Sequence, residues 1–398
     1  MLSKPMHRQV LLLASAQALF QIVSVIVMTV GGLAGARLAS APQWATLPIA
    51  TMFLGTALVT FPAAMWMAKA GRRIGFICGS LLGLAGGCIA ALGIAQQSVA
   101  LLATGTFLVG AYQAFAQFYR FAASEAADEA FRPRAISLVM AGGIVAALVG
   151  PSLARLGGPI FAAEYQGSFI ILAVVALVAA GLLLGLKMPP APIAELGAQP
   201  GRRWQEIVLQ PAYLVALFGA ATGYGIMILA MTATPIAMIK HHHELASAAT
   251  VIQLHVLGMF LPSFFTGSLI ARFGAIRVML AGAMIFIGHV LMTTTGTGFG
   301  SFAAALVMLG VGWNFMYVGG TALLTTTYTQ VERARAQAIN DMTIFIVGLS
   351  CSFSAGGLLD ALGWQQMNLV LIPWLLAAAL ALVWLGWKQR GAITLSNS

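Results

Sequence analysis

Only 8% of this chain's residues are charged, yet four ionisable side chains, Arg120, His255, His289 and Asp341, fall inside long apolar runs. An ionisable group in an apolar run is expensive unless it is paired or faces a water-filled path, so each is a candidate functional residue. Asp341 has the chemistry of a proton carrier, protonated from one side of a membrane and released to the other. It also has the chemistry of a locally paired structural residue, because buried charges are normally paired. Arg120 could fix an anionic or carbonyl group of a solute. Alternatively it anchors the end of its run by snorkelling to the headgroups, which its nearness to the boundary favours. His255 could titrate near neutral pH. Around these lie uncharged polar groups at helical spacing. Gln17 with Gln21 and Gln113 with Gln117 are i, i+4 pairs, each sharing one helix face. Trp313, Asn314 and Tyr317 form another such face, and Thr222 and Tyr224 sit among Gly219, Gly223 and Gly225. Such groups either line a pocket or hydrogen-bond between helices.

The elements that must position these residues are membrane spans. Hydrophobic residues make up 60% of the 398-residue chain, an excess that lipid can absorb and a single core cannot. Spans need about 20 apolar residues each. Twelve are predicted, at roughly 9–36, 44–68, 75–95, 99–122, 135–158, 167–187, 211–239, 246–270, 276–295, 300–326, 337–359 and 366–387. Strand-type alternation is absent, which argues against a β-barrel. Of the 20 Lys and Arg, only Arg37, Arg155 and Lys240 lie outside the termini and the even-numbered gaps between spans. Cationic loops stay in the cytoplasm, so both termini are expected inside a bacterial-type inner membrane. The stretch 188–210 contains Pro189, Pro190, Pro192, Arg202, Arg203 and Trp204. It reads as a cytoplasmic linker with an amphipathic stretch on the inner surface, between a bundle at 1–187 and a second at 211–398.

Other chemistries lack their residues. The net charge of +10 is scattered over short loops rather than gathered on one basic face, so nucleic acid is not an expected partner. Cys78, Cys88 and Cys351 lie inside apolar runs without metal-ligand spacing. The 19 methionines show no recurrent pairing, and His241-His242-His243-Glu244 reads as a solvated loop. There is no phosphate-binding glycine loop with its lysine, and no nucleophile–base set. No cleavable leader, enzyme activity, metal or cofactor is expected.

The two halves repeat one another. Lys69-Ala70-Gly71-Arg72-Arg73 follows span 2, and Arg272-Phe273-Gly274-Ala275-Ile276-Arg277 follows span 8, 203 residues later. Arg132-Pro133-Arg134 precedes span 5, and Arg333-Ala334-Arg335 precedes span 11, 201 residues later. Parallel six-span repeats characterise one class of secondary transporter, with the substrate site at mid-membrane between the repeats.

On the doubled loop, the twelve spans, the central linker and Gly150-Pro151 with Gly157-Gly158 in span 5, the chain resembles the major facilitator superfamily over its whole length. The resemblance implies an all-α membrane fold of two pseudo-symmetric six-helix bundles that transports solutes by alternating access. It also implies that spans 1, 4, 7 and 10 line the cavity, which would make Gln17, Gln21, Gln113, Gln117, Arg120, Tyr224, Trp313, Asn314 and Tyr317 cavity candidates. Span 9 would be peripheral and His289 merely packed. Lys69, Gly71, Arg72, Arg272 and Gly274 would belong to the gate, with His255, Asn340 and Asp341 as further gate or coupling candidates. In the family an Asp precedes the basic residue of the loop motif and contacts span 11. Here that place is Ala68, and Ala271 in the second copy. Asp341, on span 11 itself, would then be a latch to Lys69 or Arg72. The family's span-4 Arg aligns with Thr106.

With no carboxylate on the cavity helices, the expected cargo is a small neutral or anionic organic solute, aromatic in character. Gly150-Pro151 looks like the antiporter motif and tilts the expectation towards proton-linked export. The alternative is uptake of a heterocyclic nutrient such as a vitamin of the riboflavin type. A hypothesis from another class is a non-transporting membrane receptor on the same scaffold. The expected partners are the solute, the bilayer and protons, with the chain acting as a monomer.

Overall fold

A computed structural model describes residues 5–38, 47–188 and 201–396. In lipid every backbone N–H and C=O must be satisfied within the segment, so apolar runs of this length become helices. The first six crossings use α1 (Pro5–Leu38), α2 (Leu47–Ala70), α3 (Arg72–Ala95), α4 (Val99–Ala116) continued by α5 (Tyr119–Ala126), α6 (Arg132–Gly157) and α7 (Gln166–Leu183). A short surface helix α8 (Trp204–Val208) comes next. The second set uses α9 (Pro211–Lys240), α10 (Leu245–Phe260) continued by α11 (Ser263–Phe273), α12 (Ala275–Thr294), α13 (Phe299–Leu324), α14 (Arg333–Leu369) and α15 (Ile372–Ser396). Among the described residues there is no strand.

Among the described residues eleven stretches are long and apolar enough to cross a membrane, and the last, Arg333–Gln389, is 57 residues long. At 1.5 Å per residue it would measure about 85 Å, far more than a bilayer core of about 30 Å. Gly363 breaks it with a non-helical backbone (φ 73°, ψ 172°), giving two crossings and twelve among the described residues.

Contacts divide the described chain into two units. The first holds Met1–Glu129, Leu138–Gln199 and Gln337–Met342; the second holds Ala130–Ser137, Pro200–Ala336 and Thr343–Ser398. The division predicted at 188–210 is therefore crossed by two short segments, the start of α6 and the start of α14. Within the second unit, the start of α6 packs tightly. Ser137 Oγ donates to the Ser263 carbonyl and accepts from the Gly267 N–H at 3.0 Å. A Cβ on Gly267 would lie 2.6 Å from the Arg134 Cα and the Pro133 carbonyl oxygen, so only glycine permits this approach.

The duplication is visible in backbone angles. Gly71 enters α3 with φ 89° and ψ 153°, and Gly274 enters α12 with φ 84° and ψ 154°. That region is essentially restricted to glycine.

The prolines predicted for the linker lie outside the described residues. Beyond them, Ile207 of α8 is buried while Trp204 and the adjoining Leu209 are exposed. Arg202 joins this segment to the foot of α14 through Glu332, with Nη2 2.7 Å from Oε2 and Nε 2.8 Å from Oε1. Arg202 Nη2 and Gln210 Nε2 each donate to the Thr327 carbonyl at 3.0 Å.

Candidate functional site

Two groups of side chains stand out, one in each unit. In the first unit, Arg120 and Asp341 meet. Arg120 Nη2 donates to Asp341 Oδ1 at 2.6 Å, and the two side chains are 2% and 0% exposed. Arg120 Nη1 donates to the Gln117 carbonyl at 2.9 Å and to Gln117 Oε1 at 3.1 Å. Its guanidinium lies 4.5 Å from the centre of the Phe121 ring. Asn340 Nδ2 donates to Asp341 Oδ1 at 2.8 Å. Asp341 Oδ2 and Asn340 Oδ1 are buried without a hydrogen-bond partner. The helix is interrupted between α4 and α5 at Gln117 and Phe118, beside this pair. Irregular backbone at membrane depth is tolerated where protein buries it.

This geometry corrects three expectations. Arg120 is not a snorkelling anchor, because it is buried and paired. The partner of Asp341 is neither Lys69 nor Arg72: Lys69 is exposed, and Arg72 is taken up by Glu125. Arg72 Nη2 and Nε donate to the two Glu125 oxygens at 2.8 and 3.3 Å. Arg72 Nη2 also donates to Gln337 Oε1, and the guanidinium packs 5.3 Å from the Phe118 ring centre. Nor is Asp341 the only carboxylate inside a span, since Glu125 lies within the crossing Val99–Ala126.

Glu125 and Gln337 are the functional candidates that sequence reasoning missed. Glu125 stands five residues after Arg120, which rotates it by about 140° around a helix. The two side chains therefore reach different partners, and the pairing of each needed the fold. Thr106, where the family's span-4 Arg aligns, is buried with its hydroxyl 2.8 Å from that of Thr51.

In the second unit, aromatic rings gather from four crossings. Trp313 and Tyr317 stack with centroids 4.9 Å apart and planes 13° apart. Tyr224 lies 6.1 Å from Tyr317 and 5.6 Å, edge-on, from Phe345. Phe260 meets Trp313 edge-on at 5.8 Å. The Trp313 Nε1–H is buried without a hydrogen-bond partner. A buried donor left unpaired costs about 1–3 kcal/mol, a cost that a bound acceptor would remove.

Asn314, beside it, is different. Its Oδ1 accepts from Thr266 at 2.7 Å, and its Nδ2 donates to the Met259 carbonyl at 2.7 Å and to Ser263 Oγ at 2.6 Å. Asn314 thus ties α13 to α10 and α11 and leaves the cavity candidates. Thr222 Oγ1 accepts from Trp374 Nε1 at 2.8 Å.

The remaining candidates are dispersed. Gln17 is buried and Gln21 half-buried on α1, while Gln113 is buried with Oε1 unpartnered. His255 Nδ1 lies 2.9 Å from the Leu306 carbonyl, and its Nε2 is unpartnered. His289 is held between the Ala305 carbonyl and Asn368. Pro151 lies inside α6, and a Cβ on Gly150 would come within 2.6 Å of Val25. Arg272 is exposed, over the Phe273 ring. Among the described residues no group of His, Cys, Asp and Glu could hold a metal.

The Major Facilitator Superfamily matches residues 10–254 and 216–397. The chain belongs to the major facilitator superfamily. It is a multi-pass membrane transporter of small-molecule solutes, built as two six-helix bundles. It is similar to the riboflavin transporter RfnT of Brucella anthropi, with 40% identity over 392 residues and 97% of each chain covered. It is also similar to the MFS-type transporter YdeG of Bacillus subtilis, with 29% identity over 381 residues, 90% of this chain and 87% of that one. Among solved structures, the transporter FucP shares the fold with a TM-score of 0.79 and 17% identity, covering 94% of this chain and 98% of that one. The human organic anion transporter MFSD10 does so with a TM-score of 0.72 and 11% identity, covering 96% and 100%. Relatives and fold are those of transporters rather than enzymes.

Proposed function

We propose that this carrier moves a flat, neutral heterocycle of the riboflavin type across a bacterial inner membrane by alternating access. The observation that carries this reading is the 40% identity to a riboflavin transporter over nearly all of both chains. The ring system of the second unit supports it. Stacked Trp313 and Tyr317, with Tyr224 and Phe345, offer flat apolar surface, and the Trp313 N–H offers a donor without a partner. Pockets for small molecules combine these features, apolar walls with a few polar groups.

The test is labelled riboflavin transport in a riboflavin auxotroph expressing the chain. Uptake and restored growth at low riboflavin are expected. Absence of riboflavin movement in cells and in inverted vesicles would reject the cargo. Trp313→Phe keeps a ring and removes the donor. One hydrogen bond of about 1–1.5 kcal/mol corresponds to a rise in KM of roughly five- to tenfold, and an unchanged KM would exclude Trp313 from the site.

A second reading, proton-linked export of an aromatic metabolite, is favoured by Gly150-Pro151 in α6. Accumulation in inverted vesicles that a protonophore abolishes would support it. Uptake by cells that is insensitive to a protonophore would exclude it.

A further inference from the structure

The second copy of the duplicated loop lacks the residues of the ion pair found beside the first. Gly71 and Gly274 share an offset of 203 residues and nearly identical backbone angles. At that offset the counterpart of Arg72 is Ala275. Offsets of 201 to 203 place the counterpart of Glu125 between Thr326 and Tyr328, where there is no acid. In the first copy the Arg72 guanidinium and the Glu125 carboxylate form an ion pair at 2.8 Å. In the second copy, Ala275 and Thr326 instead line a cavity of about 630 Å³.

The chemistry of this cavity is that of an amphiphile's site. Its lining is mostly apolar, with Leu280, Leu323 and Leu382 among the lining residues. Its polar groups include Arg277 and Gln389, and Trp387 joins them from the end of α15. Arg277 is exposed, and among the described residues no carboxylate lies within ion-pair distance of it. A tryptophan beside an unmatched arginine is the side-chain set of a membrane interface. Basic pockets between spans on the cytoplasmic side bind anionic lipid headgroups.

We propose that this cavity binds one anionic phospholipid of the cytoplasmic leaflet. Its phosphate pairs with Arg277, and an acyl chain lies against Leu280, Leu323 and Leu382. The proposal rests on the orientation read from the cation distribution and is independent of the transported solute.

Native mass spectrometry of the purified full-length protein tests it, with phosphatidylglycerol and phosphatidylcholine of matched chains offered separately at equal concentration. The expected result is about fivefold more single-lipid adduct with phosphatidylglycerol, the preference one interfacial cation supplies. Arg277→Gln should lower phosphatidylglycerol retention to the phosphatidylcholine level. Arg277 is exposed and makes no ion pair, so this change leaves the fold intact, which the melting temperature checks. Arg73→Gln, in the first copy of the loop, should keep the preference. Equal retention of the two lipids by the parent protein would overturn the proposal. So would a preference that survives Arg277→Gln, or displacement of the lipid by inorganic phosphate, which would show a simple anion site.

Discussion

Asp341→Asn would leave the Arg120 guanidinium buried without the carboxylate that faces it. Removing one partner of a buried pair costs about 3–5 kcal/mol, mostly because the remaining charge stays desolvated. The melting temperature of the variant in detergent should therefore fall sharply. Arg120→Gln added to Asp341→Asn should recover part of the loss, because the stranded charge is gone. A single variant that melts like the parent would show that the pair does not hold the start of α14 in the first unit. Residues 337–342 of α14 lie in the first unit and the helix continues from Thr343 in the second. Asp341 was legible in the sequence because a carboxylate in an apolar run is conspicuous. Its partner was not, because it is 221 residues away, and a snorkelling arginine and a paired one look alike in a chain of letters.

At the scale of elements, the two loop glycines make the same local demand. Neither Gly71 nor Gly274 would bring a Cβ within 4 Å of another group, so the cost of a side chain is backbone strain alone. Gly71→Ala and Gly274→Ala should each destabilise by about 1–3 kcal/mol, and to similar degrees. Thermal unfolding that separates the two by more than that would break the symmetry argument. The linker tether carries a pH dependence. Arg202 beside Glu332, together with backbone N–H donors, holds that carboxyl down at about 2 against an ordinary 4.5. A depressed carboxyl contributes stability that is complete above about 4.5 and is lost as pH falls towards 2. Glu332→Gln should thus lower the melting temperature at pH 7, and the difference from the parent should close between about pH 4.5 and pH 2. A gap constant across that range would mean that the carboxylate charge is not what anchors the linker. The span edges were legible to within a few residues, since hydropathy is a local property. The interruptions at Gln117–Phe118 and Leu261–Pro262 were legible only in part: Pro262 announces itself, whereas Gln117 and Phe118 do not.

For the whole molecule, the cation distribution makes one firm demand on topology. A fluorescent protein fused after Ser398 should fold and fluoresce in the cytoplasm, and alkaline phosphatase inserted after His242 should be active outside. The reverse pattern would reject the orientation and, with it, the lipid site. The number of crossings, the doubling of a six-span unit and the family came from the sequence by itself. Each rests on signals that a chain carries locally or repeats along its length: apolar runs of sufficient length, loop charge, and motifs recurring 201 to 203 residues apart. Only the tertiary structure decided that Arg120 belongs to Asp341 and Arg72 to Glu125. It also showed that Asn314 is fully bonded within its bundle, while Trp313 keeps an unused donor among stacked rings. The physical reason is the same in each case. Pairing is a matter of which faces of distant helices meet, and the short range of hydrogen bonds makes a few ångströms decisive.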